Sequence, residues 1–202
     1  MKKIILFSSA TALLLLMGGC QGGGNASYVD SSGPRTVVSL DKINIQDWEN
    51  AANQMIDSLL SSGVVERAPQ QPAVMAVSRI VNNTTQVVDT NMLTKKIRIA
   101  LNRSGKVVTT TTFGADGNVE DQLAKETGAY QATMQGNMTT NPSPIPYYSL
   151  SGRIIEDRAR AGNTRQVTYV FQMSLTTTQD GLAVWEDEVM ITKQGSRASV
   201  GW

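Results

Sequence analysis

The chain is predicted to fold as a small α/β domain, a mixed sheet with helices packed on it that ends in an antiparallel meander. Three observations predict this. Apolar residues recur at helical spacing over 45–60, residues 73–113 read as strand, helix and strand, and 165–177 alternates apolar and polar side chains before an Asp180-Gly181 hairpin signal. A strand–helix–strand succession lays helices on a sheet, and strict alternation marks a strand with one buried face.

In the first helix Ile45, Trp48, Ala52, Met55, Ile56, Leu59 and Leu60 share a side, with Gln46, Asp47, Glu49, Asn50, Asn53 and Asp57 opposite. Asn44 caps its start and Gly63 ends it. At this spacing Trp48 belongs to the core. Beyond Pro69 and Pro72, residues 73–81 read as a buried strand and Asn82-Asn83-Thr84-Thr85 as a polar turn. A second helix spans 90–104 with Leu93, Ile97, Ala100 and Leu101 on one face; Gly105 stops it, and 106–113 forms a second strand. A short helix is expected over 119–126 and an irregular crossing over 129–143. Pro142, Pro144 and Pro146 then hold the chain extended into the meander, with strands at 147–157, 165–177 and 182–193 and a polar turn at Gly162-Asn163. Arg153, Arg158, Arg160 and Arg165 gather around that turn and form a candidate partner-binding patch.

The amino terminus carries an address. Lys2 and Lys3 precede an apolar run over 4–17, and Met17-Gly18-Gly19-Cys20 closes it with small residues before a cysteine. The run is too short to cross a hydrocarbon core about 30 Å thick at about 1.5 Å per residue, so 1–19 reads as a cleaved signal peptide. The tetrapeptide resembles the bacterial lipobox, with Met17 where leucine is usual, which makes Cys20 the lipidation site. It is the only cysteine in the chain, so no intramolecular disulfide competes for it. Gln21 rather than Asp after the cysteine implies, by resemblance to sorted lipoproteins, the outer membrane facing the periplasm. Residues 20–36 then form a lipidated, Gly- and Ser-rich flexible tether, and 37–202 a single globular domain.

Removing Lys2 and Lys3 with the signal leaves 16 basic against 17 acidic groups, a net charge of −1. A near-neutral chain without a basic stripe argues against a nucleic-acid partner. The chain contains no histidine, which removes the usual general base and the commonest metal ligand. Asp116, Asn118 and Glu120 alternate like calcium ligands, but the turn glycine is misplaced and no glutamate closes the loop. No cofactor or metal is expected, the Ser-x-x-Lys spacing of a penicilloyl-serine site is expected to be absent from the chain, and the chain reads as a non-enzyme.

Four phrases carry a family resemblance: DWENAANQMIDSLLSSG at 47–63, AVSRIVNNTTQVVDTNMLTKKIRIALNRSGKV at 76–107, YSLSGRI at 148–154 and GLAVWEDE at 181–188. Together they resemble the LpoB family of outer-membrane lipoproteins that activate class A penicillin-binding proteins. Trp185 before acidic residues matches the family's late-strand Trp, and Asn83-Thr84 its polar turn. The resemblance implies a fold similar to the N-terminal domain of TolB and a monomeric, membrane-anchored regulator of a peptidoglycan synthase. The second reading is a structural or assembly lipoprotein of a cell-surface secretion apparatus, similar to the curli-secretion lipoproteins, in which the domain would form a ring.

Overall fold

The structure is a computed structural model and describes residues 27–31, 33–34, 36–113, 119–134 and 145–196. Helix α1 (Ile45–Ser61) buries Trp48, Ala51, Ala52, Met55, Ile56 and Leu59, the stripe its periodicity marks. The Asp47 carboxylate accepts the Asn44 backbone N–H at 2.7 Å, satisfying a donor at the helix start as in a capping box. Gly63, at φ +70, ends the helix. A single 3-10 turn, Val65–Arg67, leads into strand β1 (Ala73–Asn83).

β1 runs past residue 81, so Asn82 and Asn83 are strand and not turn. The cause is tertiary: they pair with Ile154 and Ile155 of the neighbouring strand, and this pairing overrides the poor strand propensity of asparagine. The turn falls one step later and Asn82 closes it, its Oδ1 accepting Thr84 N–H at 3.0 Å and its Nδ2 donating to Gln86 O at 2.8 Å.

Helix α2 (Thr90–Arg103) is capped by Asp89, which accepts Asn91 N–H at 2.9 Å. It buries Leu93, Ile97 and Leu101. Strand β2 (Val107–Thr109) is much shorter than the expected 106–113. The threonine run folds on itself instead, with Thr110 Oγ1 bonded to the Thr112 hydroxyl at 3.0 Å and accepting Thr112 N–H at 3.2 Å. Helix α3 (Gln122–Met134) extends over 129–134, where a crossing was expected. Its apolar residues Leu123, Tyr130 and Met134 are exposed, so no buried stripe announces it. Residues 135–143 of that crossing, and Asp116 and Asn118, lie outside the described residues.

Strands β3 (Tyr148–Ala161), β4 (Thr164–Thr177) and β5 (Ala183–Ser196) form the antiparallel meander. Gly162 and Gly181, at φ +58 and +73, supply the left-handed residues of its two turns. The strand order is β2-β1-β3-β4-β5, with β1 parallel to both β2 and β3. The mixed sheet and packed helices are thus those expected, and the sheet order is new.

One face of this sheet carries the core. Met75, Ile80, Leu150, Ile154, Tyr169, Phe171 and Leu175 are buried under α1 and α2, and the Trp48 ring meets Phe171 edge-on at 5.8 Å. The β1–β3 register shifts between Val77 and Ile80, so that Ile80 faces Gly152. A Cβ at Gly152 would stand 2.7 Å from the Gln172 carbonyl oxygen, so the close approach of β3 and β4 there requires glycine.

Candidate partner-docking surfaces

The second face of the sheet is uncovered among the described residues. Alternation sends every other side chain of β1, β3, β4 and β5 to it, and the registers align them in rows. Asn83, Ile155, Val170 and Met190 form one row; Val81, Arg153, Gln172 and Glu188 form the next, followed by Ser151, Ser174 and Glu186. Apolar residues here are partly or widely exposed, with Met190 at 62%. Gln172 Nε2 donates to Glu188 at 2.9 Å and Ser174 Oγ to Glu186 at 2.8 Å. Arg153 makes no hydrogen bond or ion pair among the described residues. The result is a broad platform of small polar and apolar groups, with a free guanidinium on β3 and carboxylates on β5. Such a surface can take a protein partner through shape and charge, and it offers no convergent acid–base set.

The other three arginines lie elsewhere. Arg158, Arg160 and Arg165 project from the helix-bearing side of the β3–β4 hairpin, beyond the end of β1. The hairpin therefore brings three members of the expected cluster to one end and puts Arg153 on the opposite face. Arg158 is structural. Its Nε pairs with Glu156, its Nη1 reaches Asp41 Oδ1 at 3.1 Å and its Nη2 donates to Thr85 Oγ1 at 3.3 Å. The Glu156 side chain is 2% exposed and also accepts Thr85 N–H and Oγ–H at 2.9 Å each. This carboxylate staples the turn after β1 to β3.

Burial pushes the Glu156 carboxyl up, but the Thr85 hydrogen bonds and the Arg158 guanidinium outweigh it and hold the group below its ordinary value. A depressed folded-state pKa contributes stability that is present above the unfolded value and lost as pH falls through the folded one. Glu156→Gln is therefore expected to cost about 1.5–3 kcal/mol at neutral pH. The gap to the unsubstituted protein should close as pH falls below about 4. Urea midpoints at pH 7 and pH 3 read this out; a gap of equal size at both would show that the charge of Glu156 is not what stabilises.

A second buried charge sits beside the chain's entry into the domain. Lys193, on the core side of β5, is 9% exposed and Asp47 is 6% exposed. The two form an ion pair, and Lys193 Nζ also donates to Lys42 O at 2.8 Å, Ser39 O at 3.2 Å and Asn44 Oδ1 at 2.6 Å. Its ammonium stands 5.5 Å from the Tyr169 ring centroid. Residues 36–44 are thereby strapped across the end of α1. Sequence reasoning assigned Lys193 no role; its place one alternation step beyond Ile191 and two beyond Val189, both on the core side, is the signal that marks it as inward-facing.

The spacing Ser-x-x-Lys does occur, at Ser39-Leu40-Asp41-Lys42, correcting the expectation that the chain lacks it. It lies in the non-helical strap, where the Ser39 and Lys42 carbonyls accept from Lys193. Glu120 pairs with Arg98 and Lys95; burial holds Arg98 below the ordinary arginine value. Arg98 Nη2 also donates to Thr110 O at 3.1 Å, which fixes the segment leaving β2. Among the described residues no cluster of metal-ligating side chains is present and no helix is long and apolar enough to cross a membrane. Cys20 lies outside the described residues.

Solved structures of several bacterial proteins resemble the chain. The C-terminal domain of LpoB from Salmonella enterica aligns at 16% identity over 72% of this chain and 98% of its own, with a TM-score of 0.44. The LpoB C-terminal domain from Escherichia coli aligns at 16% identity over 73% and 99%, with a TM-score of 0.42. The NMR structure of E. coli LpoB aligns at 14% identity over 96% of this chain and 90% of its own, with a TM-score of 0.40. No curated protein sequence matches. The family model described as peptidoglycan-synthase activator LpoB matches residues 47–191, from the first turn of α1 to within β5. The chain belongs to the LpoB family.

Proposed function

We propose that this protein is a lipid-anchored regulator, held at the periplasmic face of the outer membrane through Cys20, that binds and activates a class A penicillin-binding protein. The observation that carries the reading is the family match over 47–191, which takes in both core helices and almost all of the sheet. A regulator of this kind acts by preferring the active conformation of its partner, and it can shift that equilibrium only by its difference in affinity for the two states. The open sheet face is the proposed docking surface, with Arg153 the central positive charge and Glu186 and Glu188 the negative rim. Family membership favours this activator reading over a secretion-assembly role, and it is a reading in which the protein works as a monomer and performs no catalysis.

The test is glycan polymerisation by the bacterium's own bifunctional synthase, measured with and without the mature protein. A coupling of about 1–3 kcal/mol corresponds to stimulation of about fivefold to a hundredfold. An unchanged rate together with no detectable complex would end the proposal. A ring-shaped oligomer in solution would return attention to the assembly role.

A further inference from the structure

We propose that the tip of the β3–β4 hairpin is a membrane-contact site, at which Arg160 and Arg165 together bind the phosphate groups of anionic phospholipid in the membrane that holds the chain. The assignment rests on the anchoring of Cys20 proposed above.

The first observation is the register. Arg160 and Arg165 are direct cross-strand partners, so their side chains leave the same face with Cβ atoms about 5 Å apart. Like charges directly opposite destabilise a strand pair. Neither has a carboxylate to relieve this among the described residues: Arg160 Nε donates to the carbonyl of Gly162 at 3.1 Å, and the Arg165 guanidinium makes no hydrogen bond to a described residue. One anion between the two guanidinium groups would turn repulsion into paired, charge-assisted hydrogen bonds, and the guanidinium fork suits phosphate.

The second observation is the isolation of that charge. Within 159–166 and 194–196, which build the tip, Arg160 and Arg165 are the only charged residues. The others are small or neutral: Ala159, Ala161, Gly162, Asn163 and Thr164 are exposed around the turn. Arg158 is already neutralised by Glu156 and Asp41, and Asp157 faces the opposite side of the strand pair. The domain as a whole is near neutral, so this is a local positive end and not part of a basic stripe such as nucleic acid would need.

The third observation is where the chain enters. Among the described residues the entering chain is tied down near residue 30: Asp30 O accepts Gly33 N–H and the Thr36 hydroxyl at 3.0 Å each, and Ser31 O accepts from Gln46 in the first turn of α1. The strap that follows reaches Arg158 through Asp41 and Lys193 through Lys42, at the hairpin end of the sheet. Ten residues separate Cys20 from Asp30. They span at most about 35 Å. From its last β1 partner, Ile155, β3 continues to Ala161 with β4 beside it, a projection of about 20 Å. The tip therefore extends from the end of the domain at which the described chain enters, and its length is within the greatest reach of the ten residues that lead back to Cys20.

The full mature lipidated protein, carrying a fluorophore on Asn163→Cys as its sole free thiol, would be reconstituted into vesicles containing a lipid-borne quencher. Vesicles of phosphatidylcholine alone are compared with vesicles one third phosphatidylglycerol, at low and at molar salt. The expected result is a membrane-contacting population about tenfold or more higher on the anionic vesicles. It should collapse in high salt and in the Arg160→Gln/Arg165→Gln variant, whose urea midpoint should be equal to or above that of the unsubstituted chain. Protein that pellets with both vesicle types while its tip ignores lipid charge overturns the tip assignment alone. Protein that pellets with neither overturns the anchoring and the tip together. Retention of a soluble nucleic-acid duplex in place of vesicles would likewise overturn it.

Discussion

Replacing Lys193 by methionine is expected to remove about 3–5 kcal/mol of folding stability. The substitution leaves the Asp47 carboxylate buried without its cation, and it strips the Ser39 and Lys42 carbonyls and Asn44 Oδ1 of a donor. An uncompensated buried charge costs far more than the net worth of the pair it came from, because the desolvation penalty stays while the attraction goes. Set against a typical total of about 5–15 kcal/mol, the loss is about a fifth or more of what holds the domain together. Urea unfolding of the mature protein measures it. Adding Asp47→Asn to Lys193→Met should recover part of the loss, since it removes the orphaned charge. A single-variant cost below about 1 kcal/mol would mean that water reaches Asp47 and that the strap is held by other contacts.

Arg153→Glu should reduce stimulation of the synthase by about tenfold or more while changing stability by no more than about 0.5 kcal/mol. The asymmetry follows from its position. Arg153 is exposed on the open face, between Val81 and Gln172 in register, and its guanidinium bonds to nothing among the described residues. Its charge therefore contributes little to the fold and is available to a partner. Reversal places a carboxylate in the row that already holds Glu188 and turns an attraction at the interface into a repulsion, which suppresses a partner more strongly than simple deletion. Titrating the variant against a fixed amount of synthase separates weaker binding from a lower plateau. Full stimulation at the usual concentration would move the docking surface away from the open face.

Local structure was legible wherever it depends on one segment. Trp48 was placed in the core by its spacing with Ala52 and Met55, and the Asp180-Gly181 hairpin by turn chemistry. Departures from the local pattern have separate physical causes. Asn82 and Asn83 are strand because Ile154 and Ile155 lie beside them. The threonines after residue 109 leave the sheet because their hydroxyls bond to each other. Helix α3 runs past the short helix the sequence predicts: its apolar side chains stay exposed, and periodicity has no buried face to report.

For the candidate surfaces the division is sharper. Sequence proximity grouped Arg153, Arg158, Arg160 and Arg165 as one patch, but side chains on a strand alternate between faces, so Arg153 parts from the others by parity alone. Among the remaining three, Arg158 is neutralised by Asp41, more than a hundred residues earlier in the chain. Composition, periodicity and turn residues determined the α/β class, the order of elements and the lack of histidine-based chemistry. The sheet order, the buried Lys193–Asp47 pair and the open face were decided by tertiary structure, because each depends on contacts between segments far apart in sequence, which no local pattern encodes.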